Sequence, residues 1–189
     1  MMLSFRSHGN SVRVFLFLAS FIVGSAFAQD YSSMGISSVI GAADAMLRRA
    51  DHAGAIPALE EVIRRISSSS TNPLEIETLQ GVRFQLARAF YQTGDTELGM
   101  KILEDYLGQE PRKQERMALR MMAQGFMETG KWEQVEKVAV RLLEIPDLEP
   151  EDILNANLLM GQSQFRQEKW VECITPLTYA ANNSKEERT

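Results

Sequence analysis

Three stretches decide the fold: Leu86-Ala-Arg-Ala-Phe-Tyr-Gln-Thr-Gly-Asp-Thr96, Met122-Ala-Gln-Gly-Phe-Met-Glu-Thr-Gly-Lys-Trp132 and Met160-Gly-Gln-Ser-Gln-Phe-Arg-Gln-Glu-Lys-Trp170. They align without gaps. Gly94 precedes Gly130 by 36 residues, and Trp132 precedes Trp170 by 38. Periods of this size mark units that cannot bury their apolar faces alone and must stack on copies of themselves. Each stretch is followed by a second run with apolar residues at i, i+3, i+4 and i+7, the stripe of an amphipathic helix. These runs are Leu98, Ile102, Leu103, Tyr106, Leu107; then Val135, Val138, Ala139, Leu142, Leu143; then Cys173, Ile174, Leu177, Ala180, Ala181. Pro111, Pro146 and Pro150 fall between runs, where a residue without an N–H does no harm. The expected class is all-α.

The helix–turn–helix unit resembles the tetratricopeptide repeat of 34 residues. In residues 80–113, Leu86, Ala87, Phe90, Gly94, Asp95 and Pro111 take the places the family's pattern requires. In 116–149, Met122, Ala123, Phe126, Gly130 and Trp132 do so. A third copy at 154–187 keeps Met160, Gly161, Trp170 and Cys173, but has Gln164 for the aromatic and Glu168 for the turn glycine. A degenerate first copy spans 36–69 on Ala42-Ala43, Ala50-Asp51, Ala55-Ile56 and Leu59. The resemblance implies a right-handed α-solenoid of antiparallel helix pairs over residues 29–189. It also pairs small residues where two helices cross: Ala43 with Ala55, Ala87 with Gly99, Ala123 with Val135, Gly161 with Cys173. A mid-helix glycine costs about 1 kcal/mol against alanine, so Gly99 and Gly161 make sense where backbones approach. Cys173 reads as a small, soft packing residue. The stretch from Ser67 to Asn72 is turn-prone and opens a long irregular patch to about residue 79, although Pro73-Leu-Glu-Ile-Glu77 has the acids of a helix's first turn.

Residues 1–28 read as an address. Arg6 and Arg13 precede the apolar run Val14–Val23, and Ala26-Phe-Ala28 forms an A-x-A cleavage site. Val14 to Ala28 is shorter than the roughly 20 residues a spanning helix needs. No cysteine follows the site for lipid attachment, and the paired arginines of a Tat signal are missing. Cleavage after Ala28 and delivery to a bacterial periplasm are therefore expected. The rest carries 18 bases against 25 acids and has lost five of nine phenylalanines, so its core rests on Leu, Ile, Val, Ala and Met. That composition suits helices better than sheets.

At 189 residues, with 44% apolar and 24% charged side chains, the chain is neither disordered nor a polytopic membrane protein. Its net charge of −5 disfavours nucleic acid as a partner. One cysteine and two histidines exclude an internal disulfide and a thiolate zinc cluster. Gly125-x-x-x-x-Gly130-Lys131 mimics a phosphate loop, but Trp132 replaces the Ser or Thr that would hold magnesium, and Gly125 falls inside a helix. His52 beside Asp51 has no nucleophile in a recognisable motif. No catalytic residue, metal or cofactor is expected, and no enzyme class.

Stacked helix pairs present a concave face to partners. By family position that face receives Phe84, Arg88, Tyr91 and Gln92; then Arg120, Gln124, Met127 and Glu128; then Leu158, Gln162, Phe165 and Arg166. Arginine forks suit carboxylates, and aromatic or methionine neighbours suit apolar side chains of an extended ligand. Phe84 and Arg88 stand where chaperone-tail clamps of this family carry Lys and Asn, which disfavours that ligand. The expected role is a periplasmic scaffold for a protein or peptide partner. Two readings stand beside it: the N-terminal module of a larger envelope or secretion component, and a structural protein self-associating through open repeat ends. Mass spectrometry of the exported protein should find Gln29 as its first residue; an intact Met1, or product held in the membrane, would overturn the periplasmic assignment.

Overall fold

The computed structural model describes residues 30–66 and 70–184. The expected signal peptide lies outside them. Among the described residues there are eight helices and no strand: α1 (Ile36–Arg48), α2 (His52–Arg65), α3 (Pro73–Thr93), α4 (Thr96–Leu107), α5 (Glu115–Glu128), α6 (Trp132–Leu143), α7 (Pro150–Arg166) and α8 (Ile174–Asn183). None of them is long and apolar enough to cross a membrane. The protein is all-α, as its periodicity requires.

The odd-numbered helices end alike. In each, one residue turns left-handed: Ala50 (φ 58°), Gly94 (φ 89°), Gly130 (φ 69°) and Glu168 (φ 60°). The next N–H then reaches back to the last turn: Asp51 to the Met46 carbonyl, Asp95 to Phe90, Lys131 to Phe126 and Lys169 to Gln164, all at 2.8–3.0 Å. The left-handed residue itself donates one turn later, to Leu47, Tyr91, Met127 and Phe165. This double bond pattern satisfies carbonyls that a helix end leaves orphaned. The sequence shows glycine at only two of the four positions, yet the backbone makes the same turn at all four.

Other boundaries follow local chemistry. The Asn72 side chain accepts a hydrogen bond from the Leu74 N–H at 3.1 Å, Pro73 fills the first helical position, and Glu75 sits in the first turn. The irregular patch expected to about residue 79 therefore stops at Asn72, and α3 runs 21 residues. At the N-terminal side, the Arg65 guanidinium donates to the carbonyls of Tyr31 and Met34, tying the segment before α1 to α2. Glu61 receives hydrogen bonds from Arg64 and Arg65, which hold its carboxyl down at about 2.

Helices pack on their sequence neighbours: α1 on α2, α3 on α4, α5 on α6 and α7 on α8, with α2 on α3, α4 on α5 and α6 on α7 joining the pairs. One buried cluster gathers Val39, Leu59, Val62, Leu79 and Leu86 from α1–α3; a second gathers Phe84, Leu103, Tyr106, Leu119 and Leu142 from α3–α6. All eight small residues expected at helix crossings are buried. A Cβ on Gly99 would lie 3.1 Å from the Ala87 carbonyl, and one on Gly161 would lie 3.1 Å from the Leu177 nitrogen. Backbones do approach there, which explains both glycines.

A side chain in the left-handed region is strained by about 1–2 kcal/mol, partly offset by the unfolded-state entropy of glycine. Ala50 and Glu168 are exposed. Ala50→Gly and Glu168→Gly should each stabilise by about 0.5–1 kcal/mol, and Gly130→Ala should destabilise by a similar amount. Thermal unfolding checks this; a lower Tm for both glycine variants would contradict the turn geometry.

Candidate binding groove

A helix face becomes a groove wall when its neighbour is held at a fixed distance. α5 and α7 form two such walls. Between Arg120, Gln124, Met127 and Glu128 on one side and Asn155, Leu158, Leu159 and Gln162 on the other lies a depression of about 420 Å³. A second, of about 480 Å³, adjoins it and shares Met127 and Gln162; Trp132, Phe165, Arg166 and Leu177 complete its lining. The floor is apolar and partly exposed: Leu158 is 39% and Phe165 50% accessible.

The charges are placed unequally. Arg120 and Arg116 both pair with the buried Asp152 carboxylate, at 2.6 and 2.8 Å. That carboxylate comes from the first turn of α7, so one ion cluster sets the spacing of the groove's upper end. Arg166, at the lower end, pairs with no carboxylate among the described residues. Its guanidinium carbon lies 5.5 Å from the centre of the Trp132 ring, a cation–π contact worth about 0.5–1 kcal/mol at an exposed site. The ring fixes the head of the side chain and leaves its N–H groups for a ligand. Phe165 meets Trp170 edge-on at 5.1 Å, which steadies the aromatic lip.

The seat of α7 on α6 adds a cluster of polar contacts to its apolar packing. Gln164 takes the position that Phe90 holds in α3 and Phe126 in α5. Its Nε2 donates to Glu136 at 2.9 Å, alongside Gln167 at 2.9 Å and Lys169 at 2.7 Å. Burial would raise the Glu136 pKa, but these three donors outweigh it and hold the carboxyl below its ordinary value. The buried Oε1 of Gln164 has no partner among the described residues, so the joint is less completely satisfied than an apolar one.

Of the residues expected on one concave face, Arg120, Gln124, Met127, Glu128, Leu158, Gln162, Phe165 and Arg166 line this groove. The α3 set does not. Phe84 was expected on the open face but is 3% exposed, its ring 5.7 Å from that of Tyr106 in the core. The cause is α4, which covers this face of α3 and sets Tyr106 against Phe84. Tyr91 is half-buried: its hydroxyl donates to the Met121 carbonyl at 2.9 Å, and burial with the nearby Glu128 charge pushes its pKa up to about 12. Arg88 and Gln92 are exposed, and Arg88 donates to Gln85 at 3.2 Å. The three arginines therefore do not act alike: one is paired, one lies apart and one is available. Sequence reasoning missed Trp132 and Asp152 as parts of the site. Asp152 follows Arg116 by about one repeat, a signal that could have suggested the pairing.

Among the described residues no cluster of His, Cys, Asp and Glu could hold a metal ion. No protein-family model matches the chain, and no curated protein matches it at a significant level.

A carboxyl whose pKa is lowered in the folded state stabilises it above the unfolded pKa, and that stability is lost as pH falls through the folded value. Glu136→Gln should therefore lower Tm at pH 7, and the gap to the parent should close below about pH 4. Equal Tm differences at pH 7 and pH 3 would show that the carboxylate charge does not hold this joint.

Proposed function

We propose that this protein is a non-enzymatic binding scaffold of the tetratricopeptide type, a right-handed α-solenoid that works in the periplasm once residues 1–28 are removed. Its ligand is an extended peptide or a helix of a partner protein, held between α5 and α7. One observation carries this reading: an apolar groove ends at Arg166, a cation braced by Trp132 and unpaired among the described residues. Such a layout suits a ligand with apolar side chains along the floor and a carboxylate at one end. The repeated turn at the end of α1, α3, α5 and α7 supports the family reading. The paired state of Arg120 narrows the electrostatic contact to a single point.

Selection from a displayed library of random peptides against the native protein tests this. Selected peptides should carry two or more apolar residues and an acid. Arg166→Glu should slow association, more strongly at low salt, because the field of a rim charge steers encounter and salt shortens its reach. Phe165→Ala should instead speed release. Arg88→Glu, outside the groove, should leave both rates close to the parent's. If Arg166→Glu and Phe165→Ala bind as the parent does, the groove is not the site.

A further inference from the structure

Counted from the left-handed residue of each turn, Ile56, Met100, Glu136 and Ile174 hold one position on α2, α4, α6 and α8. The first three face the helix that follows. Ile56 packs on the cluster containing Leu79, Val82 and Leu86 of α3. Met100 lies so close to α5 that a Cβ on Gly125 would meet its sulfur at 2.5 Å. Glu136 bonds α7. Ile174 is 60% exposed and Val171, one turn earlier on the same face, is 78% exposed. Both belong to the most exposed large apolar residues described, and Ile174 falls where the pattern seats another helix.

The receiving face can be read in the same register. Ala89, Gly125 and Ser163 hold one position on α3, α5 and α7, and all three are buried under the preceding helix. Two turns before, Val82, Ala118 and Ala156 are buried too. On α1 the corresponding residues are Ala45 and Ser38, with Ala42 between them; Ser38 is exposed and both alanines are partly so. Among the described residues α8 is a ridge with no groove, and α1 is a groove with no ridge.

We propose that α8 of one molecule seats on α1 of a second, so that the protein associates head to tail. The contact continues the crossings of α2 on α3, α4 on α5 and α6 on α7. Val171, Ile174, Thr178 and Ala181 would face Ser38, Ala42 and Ala45, all uncharged, with Arg49, which donates to the Ala45 carbonyl, at the edge of the patch. An α8-to-α8 dimer would set two bulky ridges against each other, whereas the α4–α5 crossing sets a ridge against a small residue, Met100 against Gly125. The contact is heterologous, so it builds open chains, not closed dimers. One helix crossing buries less than the roughly 1,200 Å² of a stable interface, so the association is weak, in the micromolar to millimolar range.

Light scattering of the native protein across a dilution series up to about 1 mM tests this. The expected mass rises with concentration beyond a dimer. Ile174→Asp and Ser38→Glu change exposed side chains, so both should keep the parent's helical circular dichroism and each should remain monomeric. Mixed in equal amounts they should form a dimer and nothing larger, because each has one intact end. A parent that stays monomeric throughout overturns the proposal. So does blockade by Ile174→Asp without blockade by Ser38→Glu, the pattern of an α8-to-α8 contact.

Discussion

The left-handed residue that ends α1, α3, α5 and α7 is the constraint on which the molecule depends. It reverses the chain tightly enough that the next helix starts within a few residues and lies back on its predecessor. The orphaned carbonyls at the helix end are bonded in the same step. Ala87 can then meet Gly99, and Gly161 can meet the start of α8, at distances that exclude an extra methyl group. Two of the four turns form without glycine. Their geometry is imposed by the packing of the flanking helices, which outweighs a local strain of about 1–2 kcal/mol.

Joints between pairs differ in chemistry. The joint of α4 on α5 is closed by the Met100 side chain against Gly125, and that of α2 on α3 by Ile56 and its apolar neighbours. At α6 on α7 the carboxylate of Glu136 gathers three donors. A polar joint adds directed bonds to the close packing that positions an apolar one. The groove depends on this joint, because α7 supplies Leu158, Gln162, Phe165 and Arg166 to one wall. Asp152, bonded to two arginines of α5, fixes the other end of the same wall.

Much was legible in the sequence. The aligned stretches from Leu86, Met122 and Met160 determined that the protein is helical and roughly where its turns fall. Small residues spaced for helix crossings showed which faces are buried, because packing volume leaves a local mark. Eight of the residues placed on a concave face do line a common groove, since α5 and α7 keep the periodicity that assigned them.

Only the tertiary structure decided which charges are available. Arg88, Arg120 and Arg166 look equivalent along the chain, but an arginine's role depends on the carboxylate it meets, and Asp152 reaches Arg120 from a different helix pair. It likewise decided that Phe84 is core and that Trp132 stands beneath Arg166. Helical periodicity states which side of a helix a residue occupies. What lies opposite that side is set by contacts between residues far apart in sequence, and no local pattern encodes them.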